Sequence, residues 1–221
     1  KETKMITQEQ LIPLYQVDLV ERKRAHYYHV YGAPGLDCEF PGVTGYLQVI
    51  NKPNLINWAK KEALATVEKA LLKRLDDNEQ VKLTKEWIDD LIIESKIKPD
   101  EIRDDAANAG TQIHEIIDLI IHGKEPDVIP DELVNAVTAF KDWWEDSGID
   151  IVLGDTKVAS LDYKYGGSLD SLGIRDGKYV VLDWKTGGGI YTEAALQVSA
   201  YAQAFMEPYG KLGEAAIVGR C

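Results

Sequence analysis

GGSLDSLGIRDGKYVVLDWKTGGG, residues 166–189, is the stretch on which the reading of this chain turns. Asp176-Gly177 stands between two apolar runs, the pattern of a two-residue type I′ hairpin turn. Such a turn sets the register by counting outward: Arg175 opposite Lys178, Ile174 opposite Tyr179, Leu172 opposite Val181. The next pair on that face is Asp170 opposite Asp183, and the one beyond is Ser168 opposite Lys185. Leu169, Val180, Leu182 and Trp184 fall on the other face. Both faces are apolar, so the hairpin reads as the centre of a sheet.

Facing carboxylates with Cβ atoms ~5 Å apart repel, and burial strips their hydration. Either one takes up a proton or a cation sits between them. Lys185 neutralises one charge at most. A divalent metal ion answers both acids and leaves the lysine for chemistry. The competing reading is that one acid points outward, or pairs with Lys185 and nothing more. A bulge at Gly173 would slip the register by one and part the acids.

Outward from the hairpin, IDIVLGDTKVASLDYKY (149–165) alternates and carries turn signals, so 149–188 reads as three or four strands. A helix over roughly 192–207 follows, and EAAIVGRC (214–221) reads as a strand that stops mid-pattern, with more sheet beyond it. The first half reads mostly helical, after a short amphipathic start at 7–16. Residues 25–44 predict one or two short strands with Gly/Pro turns. Pro53 opens a long helix, Thr84 caps a second, and a third follows Pro99 and ends at Gly123. Ile113, Ile116, Ile117 and Ile120 form the apolar stripe of that third helix. Pro130 opens a further helix closed by Gly148. Trp143-Trp144 reads as core packing.

The 221 residues are 45% hydrophobic and 28% charged, enough for one large domain or a core with an appended lobe. No apolar run is long enough for a membrane span, and KETKMITQEQ is no secretory signal. The two cysteines, Cys38 and Cys221, cannot build a four-thiolate site, and a reducing compartment is expected. The net charge of −12 argues mildly against nucleic acid. ERKRAH (21–26), AKKEAL (59–64) and LLKR (71–74) are nonetheless locally basic. Acids that hold metal ions also count as negative in such a total.

GGSLD is followed, thirteen residues after its Asp, by DWKTG, and then by a helix bearing QVSAY (197–201). In that order the motifs resemble the PD-(D/E)XK nuclease superfamily, and within it the RecB-type exonuclease branch. That branch includes RecB nuclease domains, CRISPR-associated and phage exonucleases, and the mitochondrial genome maintenance exonuclease. GTQIH (110–114) is similar to its Gly-x-x-x-His helix signature. FPGVTGYLQVINKPNLINWAKKEA (40–63) looks like the N-terminal segment of phage and mitochondrial members.

The resemblance implies an α/β fold: a restriction-endonuclease-like core with a central mixed sheet flanked by helices (105–221), plus a helical N-terminal lobe with a short hairpin (1–104). It implies Asp170 and Asp183 as metal-binding acids, Lys185 as the catalytic lysine and His114 as a metal ligand. The backbone carbonyl of Trp184 is a further implied ligand, and Gln197 and Tyr201 position DNA or the lysine. The implied cofactor is Mg2+ or Mn2+. The implied partners are DNA, single-stranded or at its ends, and recombination or replication proteins, with no membrane. The implied setting is the cytoplasm of a bacterium or phage-infected cell, ahead of the mitochondrial matrix. Two departures stand out. Thr156, with Asp155 adjacent, occupies the place where many members carry a glutamate on the first core strand. Two cysteines also exclude the iron–sulfur cluster of some members.

The expected activity is phosphodiester hydrolysis from DNA ends. Tyr27, Tyr28 and Tyr31 would stack bases, and Lys60, Lys61, Lys73 and Arg74 would meet phosphates. Two alternatives stand beside it: a catalytically silent DNA-binding or recombination-complex subunit on the same fold, and a PD-(D/E)XK endonuclease. For His114 the alternative is a structural histidine beside its isoleucine stripe, and for Gln197 and Tyr201 an ordinary surface pair.

Overall fold

The computed structural model describes residues 15–22, 25–50, 52–76, 84–187 and 189–209. Most of the expected amphipathic start, the expected strand at 214–221 and Cys221 lie outside them. The protein is mixed α/β. In chain order the elements are β1 Gln16–Arg22, β2 Ala25–Tyr31, β3 Asp37–Pro41, α1 Val43–Leu47, α2 Pro53–Asp76 and α3 Lys85–Ile121. A 3-10 turn, Asp131–Leu133, leads into α4 Val134–Ser147. Then come β4 Asp150–Ser160, β5 Tyr165–Arg175, β6 Lys178–Leu182 and α5 Thr192–Tyr209.

The strands form two three-stranded antiparallel sheets, β1-β2-β3 and β4-β5-β6. The parallel strand that a mixed sheet requires is not among the described residues. The chain divides into two compact units: a core unit of the described residues up to Ile50 and from Gln112 onward, and a helical unit within 51–111. The expected N-terminal lobe is therefore shared between them, its strands belonging with the core.

Local chemistry accounts for most elements. Asp176 and Gly177 both take positive φ, 52° and 73°, as the type I′ turn requires. The Thr84 hydroxyl accepts the Trp87 N–H at 3.2 Å, capping α3. Gly148, at φ 64°, closes α4. Two expectations are corrected. No strand was expected at 16–22, because β1 is an edge strand whose polar, half-exposed residues hide the alternation. A break was expected at Pro99, yet α3 runs through it for 37 residues. Pro99 is itself buried, and packing there offsets the one hydrogen bond a helical proline forfeits.

α5 lies on the second sheet. Val198, Tyr201, Ala204 and Phe205 join Val158, Leu169, Leu172 and Val181 in one buried cluster. Strict alternation would put Leu169 and Leu172 on opposite faces. On β4, Gly154 approaches Asp118 of α3 and His122 just past its end, whereas Val158, four residues on, joins the α5 core. The two strands therefore roll over together around Asp155 and Asp170, with the register unbroken from Gly154↔Ser171 to Thr156↔Leu169. Hydroxyls take up backbone carbonyls at the roll: Thr156 Oγ1 donates to Gly154 O and Ser171 Oγ to Asp170 O, each at 2.6 Å.

Gly166 and Gly167 sit just before the roll. A Cβ on Gly166 would strike the Tyr28 ring and one on Gly167 the Tyr201 ring, so each glycine admits a tyrosine from its own side.

Candidate metal and catalytic site

The hairpin register holds as counted from the turn: Arg175↔Lys178, Ile174↔Tyr179, Leu172↔Val181 and Ser171↔Leu182. The slip at Gly173 that would have parted the acids does not occur between β5 and β6. The one irregularity lies on β4, between Ile151 and Leu153. The ladder ends one step before the two acids. At that step the Asp170 side chain stands in for a backbone acceptor, and its Oδ2 takes the Trp184 N–H at 2.6 Å. The strands begin to part where the carboxylates are.

His114, on α3, reaches the same place from seventy residues away. Its Nε2 donates to the Trp184 carbonyl at 3.0 Å, and its Nδ1 lies 3.4 Å from Asp170 Oδ1. Burial pulls the imidazole's pKa down, but the Asp170 carboxylate and the Trp184 carbonyl pull it up more, and it ends above its ordinary value. Trp184 is held by its ring, which packs edge-on against Phe140 at 5.1 Å and Trp143 at 5.4 Å. That anchor fixes the amide and the carbonyl that Asp170 and His114 use. Trp143 and Trp144 are half-buried and both pack against the buried Phe140.

Asp183 is 2% exposed. Lys185 Nζ lies 2.5 Å from its Oδ2, which is the pairing that the competing sequence reading foresaw. The contact is a close ion pair in the interior, with the ammonium off the ideal hydrogen-bond direction. Burial raises the Asp183 pKa, Asp170 raises it further, and neither Lys185 nor His114 brings it back to the ordinary value. The lysine alone does not satisfy this carboxylate.

The flanking residues have clear roles in the packing. Gln197 Nε2 donates to the Tyr201 hydroxyl at 2.7 Å. Tyr201 is buried, and its hydroxyl pKa is pushed up by that burial in spite of Gln197. Its ring braces β5 and does not offer itself to solvent. Tyr28 is likewise buried, with its hydroxyl 3.2 Å from Ser168 Oγ, so the expectation that it stacks bases is not met. Arg22 lies over the Tyr27 ring, and Tyr31 donates to Asp18. Asp155 pairs with Lys157 at 2.5 Å, so the residues at the expected glutamate position turn to local contacts. Lys60 and Lys61 are exposed on α2, in the helical unit, and Arg74 lies over the Trp87 ring.

The donors present suit a hard divalent ion chemically: two carboxylates, a backbone carbonyl and an imidazole, with one interior carboxylate oxygen met by Lys185 alone. They are adjacent but not converged. Among the described residues, no three His, Cys, Asp or Glu side chains are placed to hold a metal ion. The supporting role of Tyr28 and Ser168 escaped the sequence reading. Its one signal was the Gly166-Gly167 pair, which marks a close approach in a strand. The role of Glu207, which accepts from Ser160 Oγ at 2.6 Å and Leu161 N at 2.8 Å to tie α5 to the β4–β5 turn, had no sequence signal.

No protein-family model matches the chain, and no curated protein matches it. No helix among the described residues is long and apolar enough to cross a membrane.

Proposed function

We propose that the chain is a metal-dependent deoxyribonuclease of exonuclease type, on a restriction-endonuclease-like core, that hydrolyses phosphodiester bonds from DNA ends with a single strand threaded to the site. The observation that carries this is Asp183: a buried carboxylate beside a second carboxylate, whose pKa stays raised although Lys185 is in contact with it. Such a group is costly alone and is relieved by a cation. The motif order, GTQIH then GGSLD then DWKTG then QVSAY, supports the same reading, and with it a cytoplasmic setting.

Asp170, Asp183, His114 and the Trp184 carbonyl would hold Mg2+ or Mn2+, which when bound neutralises charge on the phosphate and acidifies the attacking water. Loading asks two things of the chain. His114 presents a nitrogen free of its proton, and Asp183 gives up the Lys185 ammonium. Lys185, whose side chain is 31% exposed, is then available to meet charge developing on a phosphoryl oxygen or to orient the water. Asp170 keeps its place because the Trp184 amide holds it. Tyr201 and Gln197 steady β5 behind it, and act as positioning residues.

A second reading, a silent DNA-binding subunit, is favoured by the Lys185–Asp183 contact and the unconverged donors. One experiment separates the readings. End-labelled linear DNA and covalently closed circular DNA are incubated with Mg2+ or Mn2+, using wild type and Lys185→Ala. The expected result is degradation of the linear substrate alone, slowed about a hundred- to a thousand-fold or more in the variant. Cutting of the circle would make the protein an endonuclease. Binding without cutting would leave the silent subunit.

A further inference from the structure

Lys185 reaches from solvent into the interior. Its Nζ lies 2.5 Å from Asp183 Oδ2; the lysine side chain is 31% exposed and that of the aspartate 2%. Asp170 has other partners, the Trp184 N–H at 2.6 Å and His114 Nδ1 at 3.4 Å. The lysine is therefore committed to the acid that lies deeper. Asp183 and Lys185 are two positions apart on the segment that follows β6. Parting them asks only for rotation of a flexible four-carbon stem. The backbone between them stays in place, because the Trp184 ring is packed against Phe140 and Trp143.

Charge decides what this contact does. With His114 neutral, ionised Asp170 and Asp183 outweigh the single charge of Lys185, and a phosphodiester meets a site that repels it. With a divalent ion on the two acids, their charges are met and the lysine is in excess. The ammonium then needs an anion, and each linkage of a nucleic-acid strand supplies one negative charge. A metal ion cannot take the Asp183 oxygen while Lys185 holds it, and the donors around it are adjacent without converging. Metal and phosphate thus each favour the arrangement that the other needs, and by linkage the help is reciprocal.

We propose that Lys185 is a latch on the metal site: in the resting protein its ammonium takes the cation's place on Asp183, and a backbone phosphate of the DNA strand draws it away, so that metal and phosphate bind cooperatively. The inference rests on the nuclease reading and adds its regulation. A protein built this way holds its metal weakly until substrate arrives.

The test reads binding instead of cleavage. Mn2+ is titrated into the full chain in mildly alkaline buffer, and the free ion is counted by electron paramagnetic resonance. Lys185→Ala should bind Mn2+ at least about tenfold more tightly than wild type. Lys178→Ala, which removes the same charge at the far end of the hairpin, should bind as wild type does. A phosphorothioate oligonucleotide that resists hydrolysis should tighten Mn2+ binding to wild type, and to Lys185→Ala by less. An uncharged methylphosphonate strand of the same length should tighten neither. In wild type, acetylation of Lys185 read by peptide mass spectrometry should rise several-fold when Mn2+ saturates the site, and this measurement needs no variant to fold. Equal Mn2+ affinity in wild type and Lys185→Ala would overturn the latch and leave the nuclease reading standing, as would a Lys185 reactivity that Mn2+ does not change. Absence of Mn2+ uptake by either protein would overturn the nuclease reading, and the latch with it.

Discussion

α5 and α2 are both long helices with apolar residues at helical spacing, yet they end in opposite states. α5 buries Ala194, Val198, Tyr201, Ala204 and Phe205, and packs on β4, β5 and β6. α2 half-buries Ala59, Ala63 and Ala70 and leaves Leu64, Leu71 and Leu75 exposed. The difference teaches that periodicity announces a helix but not its cover. A sheet within the same unit accepts α5, and among the described residues of the helical unit there is no sheet that could do the same for α2.

Three measurements would break or sharpen that contrast. The largest effect is expected at Trp184, whose ring sits edge-on between Phe140 and Trp143. Trp184→Ala should cost the core unit about 3–5 kcal/mol by chemical denaturation. A cost near that of a surface change would mean the aromatic cluster does not hold the site.

The next effect is at Asp183, and its sign follows from burial. Its folded pKa is raised, so the native state binds more protons than the unfolded chain between the ordinary carboxylate value and the raised one. The contribution is fully present below the ordinary value and is lost as pH rises through the folded value. Without metal, wild-type stability should therefore fall as pH rises through this window, and Asp183→Asn should remove that dependence and be the more stable protein at neutral pH. Added Mg2+ or Mn2+ should raise the wild-type melting temperature and leave the variant's unchanged. A metal-induced shift of equal size in both would remove Asp183 from the ligand set.

The smallest effect belongs to the helical unit. Thr84→Ala removes the oxygen that caps α3 and should cost about 1 kcal/mol there. Amide hydrogen exchange would show lost protection in the first turn of α3 and none in β5. Equal losses in both would mean the two units open together, and the contrast between them would fail.

Much of the core was legible residue by residue, and the misses have physical causes. Gly148 and Thr84 marked helix ends because backbone groups at a terminus need a partner or a left-handed residue. Pro99 misled because its local cost was visible in the sequence and the burial that offsets it was not. The Asp183–Lys185 contact was foreseen as one of two outcomes, since both residues lie on one short segment. The burial of Tyr28 was not foreseen, because it depends on Gly166 of a strand far along the chain.

By itself the sequence determined the β5–β6 hairpin and the register that brings Asp170 and Asp183 to facing positions at its open end. A two-residue turn counts pairs outward with no help from the rest of the chain. Only the tertiary structure decided that the ladder stops one step short, that β4 and β5 roll at Asp170, and that His114 arrives there from α3. Those outcomes depend on which face of each strand α3, α4 and α5 cover, and local sequence does not encode a contact between residues seventy positions apart.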